Sequence, residues 1–269
     1  MSENTVISGK YEIIKNIGCG SFGKVFKSKN ILTKEEIAIK IQYKDKIIDS
    51  LKHEAKIYQY LGNIKGIPTL RNFGTHNGFQ YLVTDLLELP LSKYNFSHKE
   101  LINHFISLIK ILQNIHNKGI IHRDIKPDNI LIKNKEIYFI DFGLAKFYIK
   151  QNENIEIYNK KNFVGTRKYA SINVTNGLVG LPRDDIESLV FTFAEIYCKK
   201  LPWAELCKNK EDHKKNLPFI TKLKENLDWL LEGPAEFIAI IKYIRRLDIN
   251  TLVNYDYIIN LLNNLLIII

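Results

Sequence analysis

Carboxylate and amide side chains occur in this chain at a spacing that suits chemistry on phosphate groups. Asp124 and Asn129 belong to the run HRDIKPDN (122–129), and Asp141 opens an Asp-Phe-Gly triplet. A divalent metal bound to phosphates requires hard oxygen ligands, and a carboxylate can also accept a proton from an attacking hydroxyl group. Because both motifs are highly specific in this order, they predict a site that handles a metal ion and phosphate.

A glycine-rich run lies near the start of the chain, between two strand-like segments. It reads Gly-Cys-Gly-Ser-Phe-Gly over residues 18–23. Glycine lets the backbone approach phosphates and point N–H groups at them, although a hairpin turn with bulges would look similar. A dinucleotide-binding motif needs a helix after the third glycine, whereas Lys24–Lys27 looks like a strand. The run therefore argues against a dinucleotide site and leaves a phosphate-binding loop and an ordinary hairpin both open.

Lys40 and Glu54 form a candidate ion pair. Lys40 shares its strand face with Ala38, and Glu54 lies on the apolar stripe of the following helix. A carboxylate on that stripe is expected to be buried, and a buried charge requires a partner. Lys40 is the simplest partner, while a solvated lysine with a glutamate at the edge of the stripe is the alternative.

The predicted secondary structure around these groups changes along the chain from mostly strands to mostly helices. The first third reads as short strands with one helix, and Ile37, Ile39 and Ile41 alternate as in a half-buried strand. After about Leu87 the pattern is mostly helical, and no flexible linker separates the two parts. We therefore predict an α+β fold. The predicted strands are 11–17, 24–28, 36–41, 81–84, 129–132 and 136–140, and the predicted helices cover 47–58, 101–116, 186–197, 234–247 and the apolar tail 261–269 as a last core helix.

Composition narrows the class of protein. The chain has 269 residues, 45% of them hydrophobic, which supports a sizeable core and excludes wholesale disorder. Lys and Arg outnumber Asp and Glu by 39 to 29, and the net charge of +10 predicts attraction to polyanions. Three scattered cysteines and a polar start without a signal-peptide core indicate a reducing location, cytoplasmic or nuclear. The apolar tail is too short to span a bilayer, so we expect no membrane anchor.

Together these motifs resemble those of the eukaryotic protein kinases, and among them the casein kinase I family. The resemblance extends from about Tyr11 to Leu265. Most protein kinases have Ala-Pro-Glu where this chain and casein kinase I have Ser-Ile-Asn, here residues 171–173. The matching segments are IGCGSFGKVF (17–26), KHEAKIYQYL (52–61), GIPTL (66–70), HRDIKPDNILI (122–132), DFGLAK (141–146), GTRKYASIN (165–173), RDDIESL (183–189) and LPW (201–203).

The resemblance implies the two-lobed protein-kinase fold as a single catalytic domain. Residues 11–87 would form a small β-rich lobe that contains one key helix and binds ATP. Residues 88–265 would form a larger helical lobe. Lys40, oriented by Glu54, would hold the α- and β-phosphates. The glycine run would cover the phosphates. Two aliphatic strand residues and a leucine would contact the two faces of the adenine, and a gatekeeper residue would precede the hinge. The implied nucleotide-binding residues are Ile17, Gly18, Gly20, Ser21, Gly23, Val25, Ala38, Lys40, Thr84, Asp85, Leu87 and Leu131.

The catalytic roles also follow from the resemblance. Asp124 would accept the proton of the substrate hydroxyl group, and Lys126 would neutralise charge on the γ-phosphate. Lys126 with its following proline is typical of serine/threonine kinases, since tyrosine kinases resemble HRDLAARN at this point. Asn129 and Asp141 would bind Mg²⁺, and Asp185 would brace the catalytic loop. Every part is present, so we expect an active enzyme that uses ATP and Mg²⁺.

Substrate choice and regulation can be inferred in the same way. Casein kinase I prefers acidic or already phosphorylated proteins, and Arg123, Lys161 and Lys214 match or lie near its basic pockets. One arginine of the pair that the family has before Asp-Asp is Pro182 here, so we expect a weakened preference for phosphorylated sites. Residues 141–164 contain no Ser or Thr, which predicts activity without phosphorylation of the activation segment.

Other classes of function stay open at this point. Lysine clusters could bind nucleic acid, but they lack the interleaved aromatics of single-strand binders, so nucleic acid is not expected as the primary partner. A scaffolding pseudokinase and a kinase of the vaccinia-related type are further alternatives. We expect a monomer that acts on acidic protein substrates.

Overall fold

The computed structural model describes residues 5–20, 23–43, 50–148, 163–209 and 212–269. The chain divides into a sheet unit, Met1–Leu89 with Leu131–Leu144, and a helical unit, Pro90–Ile130 with Ala145–Ile269. The strands are β1 (Val6–Ile7), β2 (Tyr11–Gly20), β3 (Gly23–Asn30), β4 (Glu36–Tyr43), β5 (Leu70–His76), β6 (Phe79–Asp85), β7 (Ile120–Ile121), β8 (Ile130–Lys133), β9 (Glu136–Phe139) and β10 (Lys146–Phe147). The helices are α1 (Ser50–Leu61), α2 (His98–Asn117), α3 (Ile172–Thr175), α4 (Pro182–Cys198), α5 (His213–Glu225), α6 (Ala235–Arg245) and α7 (Tyr255–Ile268).

The sheet unit is built on a six-stranded antiparallel sheet with the order β1-β2-β3-β4-β6-β5. On β4 the side chains of Ile37, Ile39 and Ile41 are at most 4% exposed, as their alternation predicted. Successive strand residues point to opposite faces, so Ala38 and Lys40 lie on the other face, away from this core. The buried cluster comprises Ile7, Tyr11, Ile13, Phe26, Ile37, Ile39, Ile41, Phe79, Tyr81 and Val83.

Helix α1 begins at a contact with the end of β4. The Gln42 carbonyl Oε1 accepts hydrogen bonds from Ser50 Oγ and Leu51 N, both at 3.1 Å. This satisfies one of the N–H groups that the first turn of a helix leaves without an intrahelical partner. The predicted apolar stripe is buried at Leu51 and Tyr58, and its predicted start at 47–48 lies outside the described residues.

The predicted hairpin is formed by β8 and β9. Asn134 and Lys135 turn it with φ of 50° and 66°, the backbone that two-residue hairpin loops require. Glu88 N donates to Ile132 O at 2.9 Å, and Ile132 N donates to Leu89 O at 3.1 Å. These bonds tie β8 to the segment that follows β6.

The helical unit is organised around the long helix α2. Ser97 and Glu100 form a capping box at its start, in which each side chain accepts from the other's backbone N–H. The predicted apolar stripe is buried throughout: Ile102, Phe105, Ile106, Ile109, Leu112 and Ile115.

Aromatic side chains fill the space between α2, α4 and α6. Phe105 stacks on Phe193 with ring centroids 4.5 Å apart and meets Phe237 edge-on at 5.5 Å. Phe191 meets Trp203 edge-on at 4.9 Å. Such pairs combine a large buried area with a defined geometry, which fixes how the three helices pack.

The tail forms helix α7, but only part of it joins the core. Ile258, Leu262 and Leu265 are at most 5% exposed, whereas Ile267 and Ile268 are 84% and 77% exposed. The prediction of a core helix over 261–269 is therefore wrong for its last three residues, which are 43% to 84% exposed because no element among the described residues covers them. Among the described residues, the helices are either too short or too polar to cross a membrane.

Candidate active site

The glycine-rich run is the tip of the β2–β3 hairpin. Gly18 pairs with Val25 and Gly20 pairs with Gly23, so a strand follows the third glycine and the dinucleotide motif is excluded. A Cβ at Gly23, whose φ is +154°, would lie 2.2 Å from Ile41 O, so a side chain does not fit there. The register shifts between Asn16 and Gly18, which leaves Ile17 as a bulge residue with 46% exposure. Ser21 lies outside the described residues.

The predicted adenine-contacting residues of the sheet share one face. Val25 pairs with Lys40, and Ala38 pairs with Thr84, so these four residues point to the side opposite the isoleucine core. All four are half-buried. Leu131, on β8 of the same unit, is also half-buried.

The predicted hinge residues are held by a carboxylate. Asp85 accepts hydrogen bonds from Thr69 N and Arg71 Nε, both at 2.8 Å. Burial by itself would raise the pKa of Asp85, but the bonds from Thr69 and Arg71 outweigh it and hold the pKa below its ordinary value. Leu87 is buried, so its side chain anchors the segment rather than facing solvent.

Lys40 lies between two carboxylates of the sheet unit. Its Nζ donates to Glu54 Oε2 and to Asp141 Oδ1, each at 2.7 Å. Glu54 is 2% exposed, as its place on the apolar stripe predicted. The ion pair is confirmed, and the alternative of a solvated lysine with an edge glutamate is wrong. The sequence did not indicate that Asp141 would join the pair.

Burial and charge act in opposite directions at this cluster. Burial would lower the pKa of Lys40, but Glu54 and Asp141 outweigh it and hold that pKa above its ordinary value. Burial, with a smaller contribution from Asp141, raises the pKa of Glu54 to about 7 against the opposing effect of Lys40. The lysine is therefore charged at any physiological pH.

Asp141 is placed by its neighbours in the Asp-Phe-Gly triplet. Its φ of +62° lies in the left-handed region, which a residue other than glycine occupies only when its surroundings enforce it. Phe142 is fully buried and packs edge-on against Tyr58 at 5.1 Å. A Cβ at Gly143 would lie 3.3 Å from Asp141 Oδ1, so a larger residue would crowd that carboxylate.

Asp124 is the centre of a second cluster, in the helical unit. Its Oδ1 accepts from Thr166 Oγ1 at 2.7 Å, and its Oδ2 lies 2.9 Å from Lys126 Nζ. Asn129 Nδ2 donates to Asp124 Oδ2 at 3.1 Å and to its backbone oxygen at 2.9 Å. Lys126 Nζ also donates to Thr166 Oγ1 at 3.1 Å. The carboxylate is thus oriented by three donors, one of them charged.

Asp185 binds the backbone of the loop that carries Asp124. Its Oδ2 accepts from His122 N at 2.7 Å and lies 3.0 Å from His116 Nε2, and its Oδ1 accepts from Arg123 N at 2.9 Å. Burial would raise the pKa of Asp185, but the bonds and charges of His116 and His122 keep it below its ordinary value. Arg123 has φ of +67°, and the Asp185 bond supports this strained backbone.

Two residues of this cluster were missed by sequence reasoning. Thr166 entered only as part of the matching segment GTRKYASIN (165–173), and His116 only as the end of the predicted helix 101–116. The available signal for Thr166 was the preceding glycine: at Gly165, with φ of +106°, a Cβ would lie 2.5 Å from Arg123 O. His116 is 2% exposed, and a buried polar residue on an apolar stripe is a sign of a fixed partner.

A pocket of about 400 Å³ in the helical unit collects basic side chains. Arg123 and Lys214, two of the three predicted anion-binding residues, are among its lining residues, and Lys146 and Arg167 join them. Lys161 lies outside the described residues. Asp184 and Asp185 also line the pocket, but the four basic residues outnumber them, which favours an anionic ligand.

The residues before Asp-Asp do not supply a further basic group to this pocket. Pro182 is the first residue of α4, a position that suits proline because its missing N–H would have no partner there. Arg183 Nη1 donates to the carbonyl of Leu247, so its guanidinium group binds the backbone beyond α6.

The family model described as protein kinase domain matches residues 11–260. This chain belongs to the protein kinase family. Its sheet unit and helical unit are the two parts of the kinase fold, which confirms the predicted fold class. Members of the family are phosphotransferases, and they generally use ATP and Mg²⁺.

The predicted metal ligands of the kinase fit Mg²⁺ by their chemistry. Asn129 and Asp141 both offer hard oxygen atoms, and because Asn129 donates through Nδ2, its Oδ1 is the atom that could ligate a cation. Mg²⁺ needs few protein ligands when phosphates and waters supply the rest. Within the described part of the chain, no cluster of three or more His, Cys, Asp or Glu residues could hold a metal ion.

Proposed function

We propose that this kinase transfers the γ-phosphoryl group of Mg-ATP to serine or threonine residues of acidic proteins, in the manner of casein kinase I. The observation that carries the proposal is the cluster of Asp124, Lys126 and Thr166, in which a carboxylate and a lysine are held within 3.1 Å of a common hydroxyl group. The Ser-Ile-Asn triplet at 171–173 supports the casein kinase I type.

Asp124 acts as the proton acceptor in this mechanism. The acceptor hydroxyl oxygen forms a bond to the γ-phosphorus while the bond to the bridging oxygen of ADP breaks, and the hydroxyl proton passes to the Asp124 carboxylate. Thr166 and Asn129 hold that carboxylate by hydrogen bonds, which fixes its orientation before the substrate arrives.

Two lysines bind and neutralise negatively charged phosphate groups in this mechanism. Lys126 stabilises the charge that develops on the transferred group, and Lys40 holds the phosphates of the nucleotide. Mg²⁺, ligated by Asn129 and Asp141, would neutralise part of the phosphate charge. Because the pKa of Lys40 is held above its ordinary value by Glu54 and Asp141, its positive charge does not depend on pH in the physiological range.

The basic pocket supports the choice of acidic protein substrates. Arg123, Lys146, Arg167 and Lys214 line it, and all belong to the unit that carries Asp124. An acidic side chain near the acceptor would find cations there, which raises both the encounter rate and the affinity. The sequence also supports constitutive activity inside the cell, since residues 141–164 offer no Ser or Thr to phosphorylate.

A transfer assay with Asp124→Asn tests the proposal. We expect wild-type protein with Mg-ATP to phosphorylate an acidic serine or threonine peptide and not the matched tyrosine peptide. The variant keeps the shape of the side chain but loses its basicity, so kcat should fall by roughly 10²- to 10⁴-fold.

Asp128→Asn is the matched control, because Asp128 lies in the same loop with an exposed side chain. It should keep wild-type kcat. Equal kcat for wild type and Asp124→Asn would contradict the assignment of the base. Binding of Mg-ATP by wild type without any transfer would indicate a scaffolding pseudokinase.

A further inference from the structure

Lys224 on α5 is a buried lysine whose three closest partners are neutral. Its side chain is 0% exposed. The Nζ atom donates to the carbonyl oxygens of Arg167 at 2.9 Å and Ala170 at 2.6 Å, and to the Thr175 hydroxyl group at 3.0 Å. An ammonium group has three hydrogens, so each one has an acceptor. A buried charge is costly, and this arrangement uses all of its donors on one segment of the chain.

That segment includes the residue that contacts the catalytic carboxylate. We call residues 166–170 the catalytic turn. Thr166 begins it and donates to Asp124 Oδ1, and Tyr169 N and Ala170 N both donate to Thr166 O, at 2.9 and 3.0 Å. Lys224 binds the carbonyls of the second and last residues of the turn. It therefore adds two hydrogen bonds to the turn besides those that the turn makes within itself.

Lys224 is itself held in place. Its Nζ lies 5.5 Å from the ring centre of Trp203 and 5.7 Å from that of Phe191. Arg245 Nη2 donates to Lys224 O at 2.8 Å and to Glu187 Oε1 at 2.6 Å. The lysine thus connects the catalytic turn to α4 and α6 through a rigid set of contacts.

The charge of Lys224 is sensitive to pH. Burial lowers its pKa to about 8. Cys207 and Glu187 oppose this shift, whereas Arg245 and Arg167 add to it. Above that pH the group becomes a neutral amine, which has two N–H donors for its three acceptors.

We propose that Lys224 is a positioning residue for phosphoryl transfer, which keeps Thr166 in contact with Asp124 by holding the catalytic turn. The inference rests on the proposed function, because it assigns Asp124 as the base. Lys224 does not touch the reacting atoms, and its effect passes through the turn.

The test compares Lys224→Met with Lys222→Met. Methionine keeps the length of the side chain but removes every donor, and Lys222 is an exposed lysine on the same helix. We expect kcat of Lys224→Met to fall about 10- to 100-fold with little change in KM for ATP, since small misplacements of catalytic groups have effects of this size. Hydrogen exchange at the amides of Tyr169 and Ala170 should speed up in this variant only. Wild-type kcat and wild-type exchange in Lys224→Met would overturn the proposal.

A pH series distinguishes positioning from a purely structural role. Between pH 8 and 10.5 the unfolded chain keeps the lysine proton and the folded chain does not, so the stability of wild type should rise with pH in this window relative to Lys224→Met. Over the same window wild-type kcat should fall, because the neutral amine can no longer donate to Arg167 O, Ala170 O and Thr175 Oγ1 together, which weakens its hold on the turn. If kcat rose together with stability between pH 8 and 10.5, the proposal would fail.

Lys224→Gln covers the case in which the methionine variant does not fold. It supplies two neutral donors, so we expect partial activity and no kcat step near pH 8; a retained step would overturn the proposal. If wild type showed no transfer at all, the proposed function would fail first. Hydrogen exchange would then decide on Lys224 alone: faster exchange in the catalytic turn of the glutamine variant supports it, and unchanged exchange refutes it.

Discussion

At the scale of single residues, the cluster of Lys40, Glu54 and Asp141 shows how burial and neighbouring charges set the charge state of a side chain. Lys40 contacts two carboxylates and stays charged, while Glu54, at 2% exposure, has a pKa of about 7. Glu54 is thus the member of the cluster whose ionisation changes near neutral pH. The same burial that orients Lys40 makes its orientation dependent on pH.

We predict that the activity of wild type falls as the pH is lowered through about 7, because protonation of Glu54 removes one of the negative partners of Lys40. The stability contribution has the opposite sign. The pKa of Glu54 in the folded state lies above the ordinary 4.5. Its contribution to the free energy of unfolding is therefore fully present at acidic pH and is lost as the pH rises from 4.5 through about 7.

Glu54→Gln checks this prediction. The variant should lose roughly 10- to 100-fold in kcat/KM for ATP at pH 8 and should lack the acidic step in its pH profile. Glu136→Gln is a control of the same type, because Glu136 lies on the surface, where it forms an exposed ion pair with Lys65 and accepts a hydrogen bond from the Tyr138 hydroxyl group. An acidic step that persists in Glu54→Gln would show that another group titrates.

At the scale of elements, the catalytic turn is held by buried side chains of the helical unit. Lys224 binds two of its carbonyls, and Trp203 Nε1 donates to the carbonyl of Lys168 at 2.6 Å. Ser171 caps α3 and donates to Asp184 Oδ1 at 2.7 Å. These contacts depend on no added phosphate group.

Phosphatase treatment tests the resulting expectation of constitutive activity. We predict that enzyme purified and then dephosphorylated keeps its kcat, since residues 141–164 contain no Ser or Thr and the turn is held by its own neighbours. Mass spectrometry before and after treatment verifies the removal of phosphate. Loss of activity on dephosphorylation, restored by incubation with Mg-ATP, would contradict the prediction.

At the scale of the whole molecule, some of the basic residues behind the net charge of +10 have proposed roles. In the proposed function, Lys40 and Lys126 bind the nucleotide phosphates and the basic pocket binds an acidic substrate. Surface charge steers substrates of opposite sign and is screened by salt, so it adds a general attraction to this local recognition. Pro182 and the internally bound Arg183 leave the pocket without the arginines of the Asp-Asp approach.

Paired peptides, with and without a phosphorylated residue near the acceptor, test the role of Pro182. We predict a small preference for the phosphorylated peptide in wild type and an increase of roughly 10- to 150-fold in Pro182→Arg, since a hydrogen bond to a charged group contributes about 1.5–3 kcal/mol. Pro182→Gln has a long neutral side chain and should resemble wild type. A strong preference already present in wild type would refute this.

Residue types and periodicity alone predicted much of the fold and part of the site. The alternation of Ile37, Ile39 and Ile41, the stripe of α2 and the hairpin after Asn129 all depend on local spacing, and each occurs close to its predicted bounds. The Lys40–Glu54 pair was predictable because a charge on an apolar stripe requires a partner.

Contacts between distant parts of the chain were decided only by the tertiary structure. Three hydrogen bonds join residues that no local pattern relates: Thr166 to Asp124, Lys224 to the catalytic turn, and Arg183 to Leu247. The exposure of Ile267 and Ile268 is decided in the same way, because burial depends on what packs against a helix and not on its own composition. Residue types and their spacing predict which groups could take part in phosphoryl transfer, whereas packing between distant segments decides which of these groups are held in place.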